Sequence, residues 1–292
     1  MKLLSAVALA LLGVGSWLFA QSALGDTVLG RHYRAGETLV YRMKAVNDGR
    51  KYEARASGLV KKDTDGTWIE EYAWSNVVFD GVRLALSAAS TDFRQVLSLD
   101  PAKTPAVPNL TIVQPQLIGP ITDLLTFYSD LWLAQKAGHF QKVGDHLYYE
   151  HGTPSAWADG NFIVVGEDSI DFDISLTQLD QSGKTATLLI RHVPPKKPQI
   201  RIPVGWMQAP VAETPNNWVN VVHAGEQYVA QVGKETFEVK LTISLTDGKI
   251  LSGSIDNPVT ATERFCKDAA LLNCSEPHPR AILRQIEISF AQ

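Results

Sequence analysis

Polar and apolar positions alternate along most of this chain with the two-residue period of half-buried strands. In GETLVYRMKAV, Leu39, Tyr41, Met43 and Ala45 fall on one face and Thr38, Val40, Arg42 and Lys44 on the other. Asn47-Asp48-Gly49 supplies turn chemistry, and KYEARASGLVKK returns to a second turn at Asp63-Thr64-Asp65-Gly66. TWIEEYAWSNVVF and VRLALSAASTDFRQVLSL predict a third and a fourth strand on either side of Asp80-Gly81. EDSIDFDISL reads as one strand with Ile170, Phe172, Ile174 and Leu176 on its apolar side. ETFEVKLTISLTDG has Phe237, Val239, Leu241, Ile243 and Leu245 on one face, then turns at Thr246-Asp247-Gly248-Lys249 into KILSGSI. AILRQIEISF is the last strand. The pattern predicts roughly eleven strands, a number that one curled sheet can hold. Strands of about twelve residues reach roughly 40 Å, and sheets that long coil toward a barrel or half-barrel.

One segment breaks the alternation. LIGPITDLLTFYSDLWLAQKAG carries Ile121, Leu124, Leu125, Tyr128, Leu131 and Trp132 at helical spacing. Phe127 and Leu133 widen the apolar arc beyond the stripe that a helix on a flat sheet needs. The spacing predicts a helix over 117–137. Pro120 and Asp123 suit its first turns, Lys136 its last turn, and Gly138 its stop. An arc this wide calls for cover on more than one side. The expected fold class is mainly β: a curled antiparallel sheet or half-barrel with one main helix packed in or on its concave face. Asp123 and Asp130 would then mark the side that faces water or the mouth. The same helix reads either as plain core or as an element that fills or gates a groove.

The chain opens with MKLLSAVALALLGVGSWLFAQSALGDT, a basic Lys2, an apolar run and a small-x-small pattern at Ala23-Leu24-Gly25. This has the form of a signal peptide over 1–25, followed by a single β-rich domain over 26–292. The expected location is exported, periplasmic or secreted. No later run is long and apolar enough to span a bilayer as a helix. A formal net charge of −4 argues against a nucleic-acid partner. Cys266 and Cys274 are the two cysteines of the chain, and in an oxidising compartment a disulfide clipping the loop before the last strand is the expected use. Two Pro-rich stretches, 100–116 and 191–218, interrupt the strands, and the second holds Trp206 and Trp218.

The opening Gly36, Glu37, Leu39 and Tyr41, the long strands and the inserted helix resemble exported bacterial proteins with a lipoprotein-carrier-like curled sheet. The resemblance covers four residues as a motif and the rest as architecture. It implies a cavity for an acyl chain or another apolar ligand.

Local catalytic and metal signatures are missing. His146 and His151 are an odd number of residues apart, so a strand would send them to opposite faces. Glu167, Asp171 and Asp173 share one face of the strand expected at 167–176 and could hold calcium, but the calcium-loop pattern is lacking. Solubility and edge protection are the preferred account of these charges. No metal or cofactor is therefore expected. Glu70, Glu71, Asp159 and Asp171 are candidate carboxylates for a hydrolase. Trp68, Tyr72 and Trp74, in phase with Glu70 and Asn76, could be core or a ligand platform.

The leading expectation is non-enzymatic binding or carriage of an apolar or amphipathic small molecule. Leu125, Tyr128 and Trp132 would line the cavity, with Trp206 and Trp218 near its rim. The alternatives are an envelope module that binds another protein through 191–218, and a secreted hydrolase.

Overall fold

The computed structural model describes residues 29–137, 139–152, 155–158, 164–200 and 216–291. The leader expected at 1–25 and Trp206 lie outside them. Strand accounts for 52% and helix for 12%, so the fold is mainly β. One large antiparallel sheet, not closed into a barrel, holds all the strands.

The first wing of the sheet follows the alternation closely. β1 (Thr38–Asn47), β2 (Arg50–Lys62) and β3 (Trp68–Phe79) form successive hairpins. Asp48 and Gly49 both take positive φ (50° and 84°), the backbone that a tight two-residue hairpin needs. The fourth expected strand is not continuous. It resolves into β4 (Val82–Arg83), the short helix α1 (Ala88–Asp92) and β5 (Gln95–Leu97). Ser87 caps α1 by accepting from the Ser90 amide, so its hydroxyl competes with strand pairing and wins.

The main helix, α2, runs from Pro115 to Ala137, two residues longer than the spacing predicts. Pro115 takes the first helical position, and Pro120 sits inside the helix. Thr122 donates its hydroxyl to the carbonyls of Ile118 and Gly119 beside it.

Beyond α2 come β6 (His146–Tyr149), β7 (Ser155–Ala158), β8 (Val164–Asp168), β9 (Asp171–Asp180) and β10 (Thr185–Val193). They are followed by β11 (Trp218–Ala224), β12 (Gln227–Glu235), β13 (Phe237–Ser244), β14 (Ile250–Cys266) and β15 (His278–Phe290). The expected strand 167–176 is broken at Ser169-Ile170. β8 pairs with β11 and β7, whereas β9 pairs with β10 and β6. Glu167 and the Asp171–Asp173 pair therefore belong to different strands rather than to one face.

The break belongs to a fork in the sheet. β12 and β13 run end to end along β14 in one register, from Tyr228↔Cys266 through Glu238↔Asp256. Only Thr236 interrupts them, and its amide donates to the Pro258 carbonyl. On their far side β11 continues one wing from β12, and β10 continues another from β13. On the near side β14 pairs with β15, and β15 with β1.

The inward faces of β1–β3, β9, β10 and β13–β15 join α2 in one core. Tyr41, Tyr72, Phe127, Tyr128, Leu117, Ile121 and Leu124 are all fully buried within it. The buried positions of α2 span well over half of its circumference, as the wide apolar arc requires. A smaller core of Val219, Ala230, Val232, Cys266 and Leu271 packs beside the Cys266–Cys274 disulfide, which clips the loop before β15 as expected. Trp68, Tyr72 and Trp74 point inward as core.

Gly253 leaves room for the Phe127 ring of α2 on the sheet. A Cβ there would stand 2.9 Å from both Phe127 Cε1 and Leu241 Cδ2. Gly253→Ala is therefore expected to destabilise the fold by about 1–3 kcal/mol through overpacking. Ser254→Ala, on the outward face, should change stability by less than about 0.5 kcal/mol. Chemical denaturation of the two variants checks the contrast.

Candidate functional site

The polar side chains of greatest chemical interest lie between α2 and the sheet. Asp123 and Asp130 were expected to face water, yet they are 2% and 3% exposed. Each meets a partner from a different wing. Asp123 accepts from the Arg284 guanidinium of β15 and from the Tyr52 hydroxyl of β2 at 2.6 Å. Asp130 stands 2.9 Å from Nε2 of His192 on β10. The helix carries two acids into the core because the inward faces of β10 and β15 each supply a hydrogen-bonding partner, His192 and Arg284.

His192 is enclosed by aromatic rings. Phe237 stacks on it with centroids 4.6 Å apart, and Phe172 meets it edge-on at 4.7 Å. Burial alone would lower its pKa, but the adjacent Asp130 carboxylate outweighs burial and holds it above the ordinary 6.5. Glu235, at the end of β12, is 7% exposed. Burial raises its pKa above 4.5, only partly offset by the Asn257 amide, which donates at 2.9 Å, and by His192 and Arg284. Asn217 closes the fork from β11's side: its amide oxygen accepts from the Glu235 amide at 2.8 Å. Arg284 is held charged despite its burial by Asp123.

A second buried cluster lies under the same helix. Glu70 of β3 is completely buried and accepts from Arg31 Nε at 3.0 Å, from Tyr72 at 2.8 Å and from Tyr128 of α2. Arg31 also bonds Glu37 at 3.0 Å. Burial first, and then the Glu70 carboxylate, push the Tyr72 and Tyr128 hydroxyls well above the ordinary tyrosine value, so both remain donors. The cluster joins the segment before β1, the third strand and α2.

The expected ligand residues divide between elements. Leu125 and Tyr128 are buried in the core, and Tyr128 is tied to Glu70. Trp132 is half-buried at the edge of the helix–sheet seam. Its indole donates to the Asp100 carbonyl at 3.2 Å, and Lys136 lies over its ring. Trp218 is buried at the fork, in register with Gly233 and Asp168, and does not stand on the α2 stripe. A shallow double groove, of 290 and 550 Å³, lies on the outward face instead, where Lys240, Ser254 and Glu287 line both parts.

The hydrolase candidates do not converge. Glu70 points inward, Glu71 pairs with Lys61 outside, and Asp171 accepts from Tyr148 at 2.7 Å. Asp159 lies outside the described residues, as does most of the Pro-rich stretch 191–218. Asp173 pairs with His146 at 2.5 Å, so the acids of β9 clamp the strand β6. His151 meets the Phe172 ring edge-on, with centroids 5.7 Å apart. Among the described residues no group of three His, Cys, Asp or Glu is placed to hold a metal ion.

No family model, no curated protein and no solved structure matches this chain.

Sequence reasoning missed Arg284, His192, Glu235 and Asn257, although a signal was present. Three of them interrupt an apolar alternation: Arg284 lies in phase with Ile282, Ile286 and Ile288, His192 with Leu188 and Ile190, and Asn257 with Ile255 and Val259. A polar residue in an apolar phase marks a buried partner elsewhere.

Two tests follow from the pairs. Arg284→Met leaves Asp123 buried without its cation and should cost about 3 kcal/mol, whereas Asp123→Leu with Arg284→Met should recover most of that loss. Urea titration of the single and double variants checks it. The second test is pH. Glu235 and His192 both hold a proton more tightly folded than unfolded, so each contributes stability that is full below its unfolded pKa and lost as pH rises through the folded one. Stability should therefore fall as pH climbs above 4.5 and again above 6.5. His192→Phe should flatten the upper part of that fall in denaturant titrations repeated along the pH axis.

Proposed function

We propose that this chain is a non-enzymatic, exported binding protein that holds an apolar or amphipathic guest against the inward face of its sheet, with α2 as the closing helix. The observation that supports the reading is how α2 is held. It covers a continuous apolar sheet face, yet polar ties set its position, among them Asp123 to Arg284, Asp130 to His192, and Tyr128 to Glu70. Desolvation offsets most of the Coulomb gain of a buried ion pair, so such ties specify a position more than they add net stability. A helix seated this way has one defined closed position and a small set of contacts to release.

The flanks support the same reading. Residues 98–114 join β5 to α2 with Pro101, Pro105 and Pro108 and no strand of their own, a long connection whose Leu99, Leu110 and Val113 are buried in the core beside the helix. Leu125 and Tyr128 are the inward residues that a guest would meet, and Trp132 stands at the seam. The disulfide suits an oxidising compartment.

Native mass spectrometry of the protein, exported by its host and purified without detergent, is the test. The expected result is an added mass that organic extraction removes and that Trp132→Ala diminishes. A bare mass, together with no uptake of an apolar fluorescent probe by the wild type or by the loosened Asp123→Asn variant, would overturn the reading.

A further inference from the structure

Two buried polar atoms in the core that the sheet shares with α2 have no hydrogen-bond partner among the described residues: the indole nitrogen of Trp74 and the side-chain oxygen of Gln95. Trp74 is 3% exposed and Gln95 is 0% exposed. Native folds contain few buried polar groups of this kind, and each needs a physical account. Trp74 stands on β3. Gln95 stands on β5 opposite Tyr72, two residues from Trp74 in the same inward phase. The two are diagonal neighbours on adjacent strands, an arrangement in which long side chains come within reach of each other.

The chemistry of each atom is settled by its surroundings. The Gln95 amide nitrogen donates to the Ile121 carbonyl of α2 at 2.9 Å. A carbonyl only accepts, so the amide cannot be turned around without losing that bond, and its oxygen is the atom left over. The Trp74 indole can only donate. One unmet donor and one unmet acceptor therefore share the seam between sheet and helix. The buried acids Glu70 and Asp123 are already committed: Glu70 to Arg31 and two tyrosines, and Asp123 to Arg284 and Tyr52.

A group that satisfies both atoms must accept one hydrogen bond and donate another. A carboxylate has no proton to give, an ammonium has no lone pair, and an ether or ester cannot donate. A hydroxyl does both. We infer that Trp74 and Gln95 form a two-point anchor for the hydroxyl head of a neutral amphiphile, whose apolar part lies between the sheet and α2. The inference rests on the binding role proposed above and adds the class of head group. A resident water offers the same pair of bonds, and the test separates the two sources.

The probes are 1-tetradecanol and its methyl ether, each competing with the apolar dye N-phenyl-1-naphthylamine on the wild type, Trp74→Phe and Gln95→Met. The wild type is expected to prefer the alcohol about tenfold, the size of one buried hydrogen-bonded group. That preference should vanish in Gln95→Met, which removes the acceptor that only the alcohol can serve, while the dye still binds. Trp74→Phe removes a bond that alcohol and ether can both accept, so it should weaken the two alike relative to the dye, and it provides a second reading if Gln95→Met fails to fold. Equal affinity of wild type for alcohol and ether, with the dye bound, would assign the two atoms to a water and overturn the anchor while leaving the binding role in place. Failure of the wild type to bind dye, alcohol and ether alike would overturn the binding role, and the anchor with it.

Discussion

Two carboxylates on an otherwise apolar helix govern how this molecule is assembled. A charge removed from water is tolerated only beside a partner, so Asp123 and Asp130 can enter the core only where Arg284 and His192 are waiting. Arg284 belongs to β15 and His192 to β10, on opposite sides of β13 and β14. Seating α2 therefore requires both flanks of the sheet to be in place at once. Apolar contact alone would let the helix slide or rotate over a greasy surface. The two ion pairs remove that freedom.

Glu70 applies the same constraint at a third point. It gathers Arg31 from the segment before β1, Tyr72 from its own strand and Tyr128 from α2. Gln135 of the helix also donates to the Leu29 carbonyl at 2.6 Å. The segment that opens the described chain is thus fastened to the helix and to β3, far away in sequence. Polar groups fix the positions while apolar burial supplies most of the driving force.

The fork in the sheet is where these constraints meet. β14 is long enough to carry two strands in succession along one edge, and Thr236 opposite Pro258 is where they part. Asn217, Glu235 and Asn257 satisfy the backbone and one another at that point. His192 and Phe237 lie immediately beside it, so the polar residues that hold α2 also close the split between wings. A binding role that opens α2 would load the fork first.

The sequence by itself determined the strands whose one face is buried throughout. β1, β2 and β13 were legible because a two-residue period is a local property and their inward residues never change phase; β3 keeps the period through Trp74 and shifts phase at Asn76, so that Val77 is buried next. The helix was legible for the same reason, with its over-wide arc, and so was the cysteine pair, whose members lie eight residues apart. Partners were decided only by the tertiary structure. Asp123 finds Arg284 at a separation of 161 residues and Asp130 finds His192 at 62. No local pattern ranks one distant cation over another. The break at Ser169-Ile170 was hidden as well, because the alternation on either side remains regular while the strand changes wings. What the chain did display was the misfit of Glu70, His192, Asn257 and Arg284 in apolar phases. Whether such a residue meets water or a buried partner depends on which strand the sheet brings beside it.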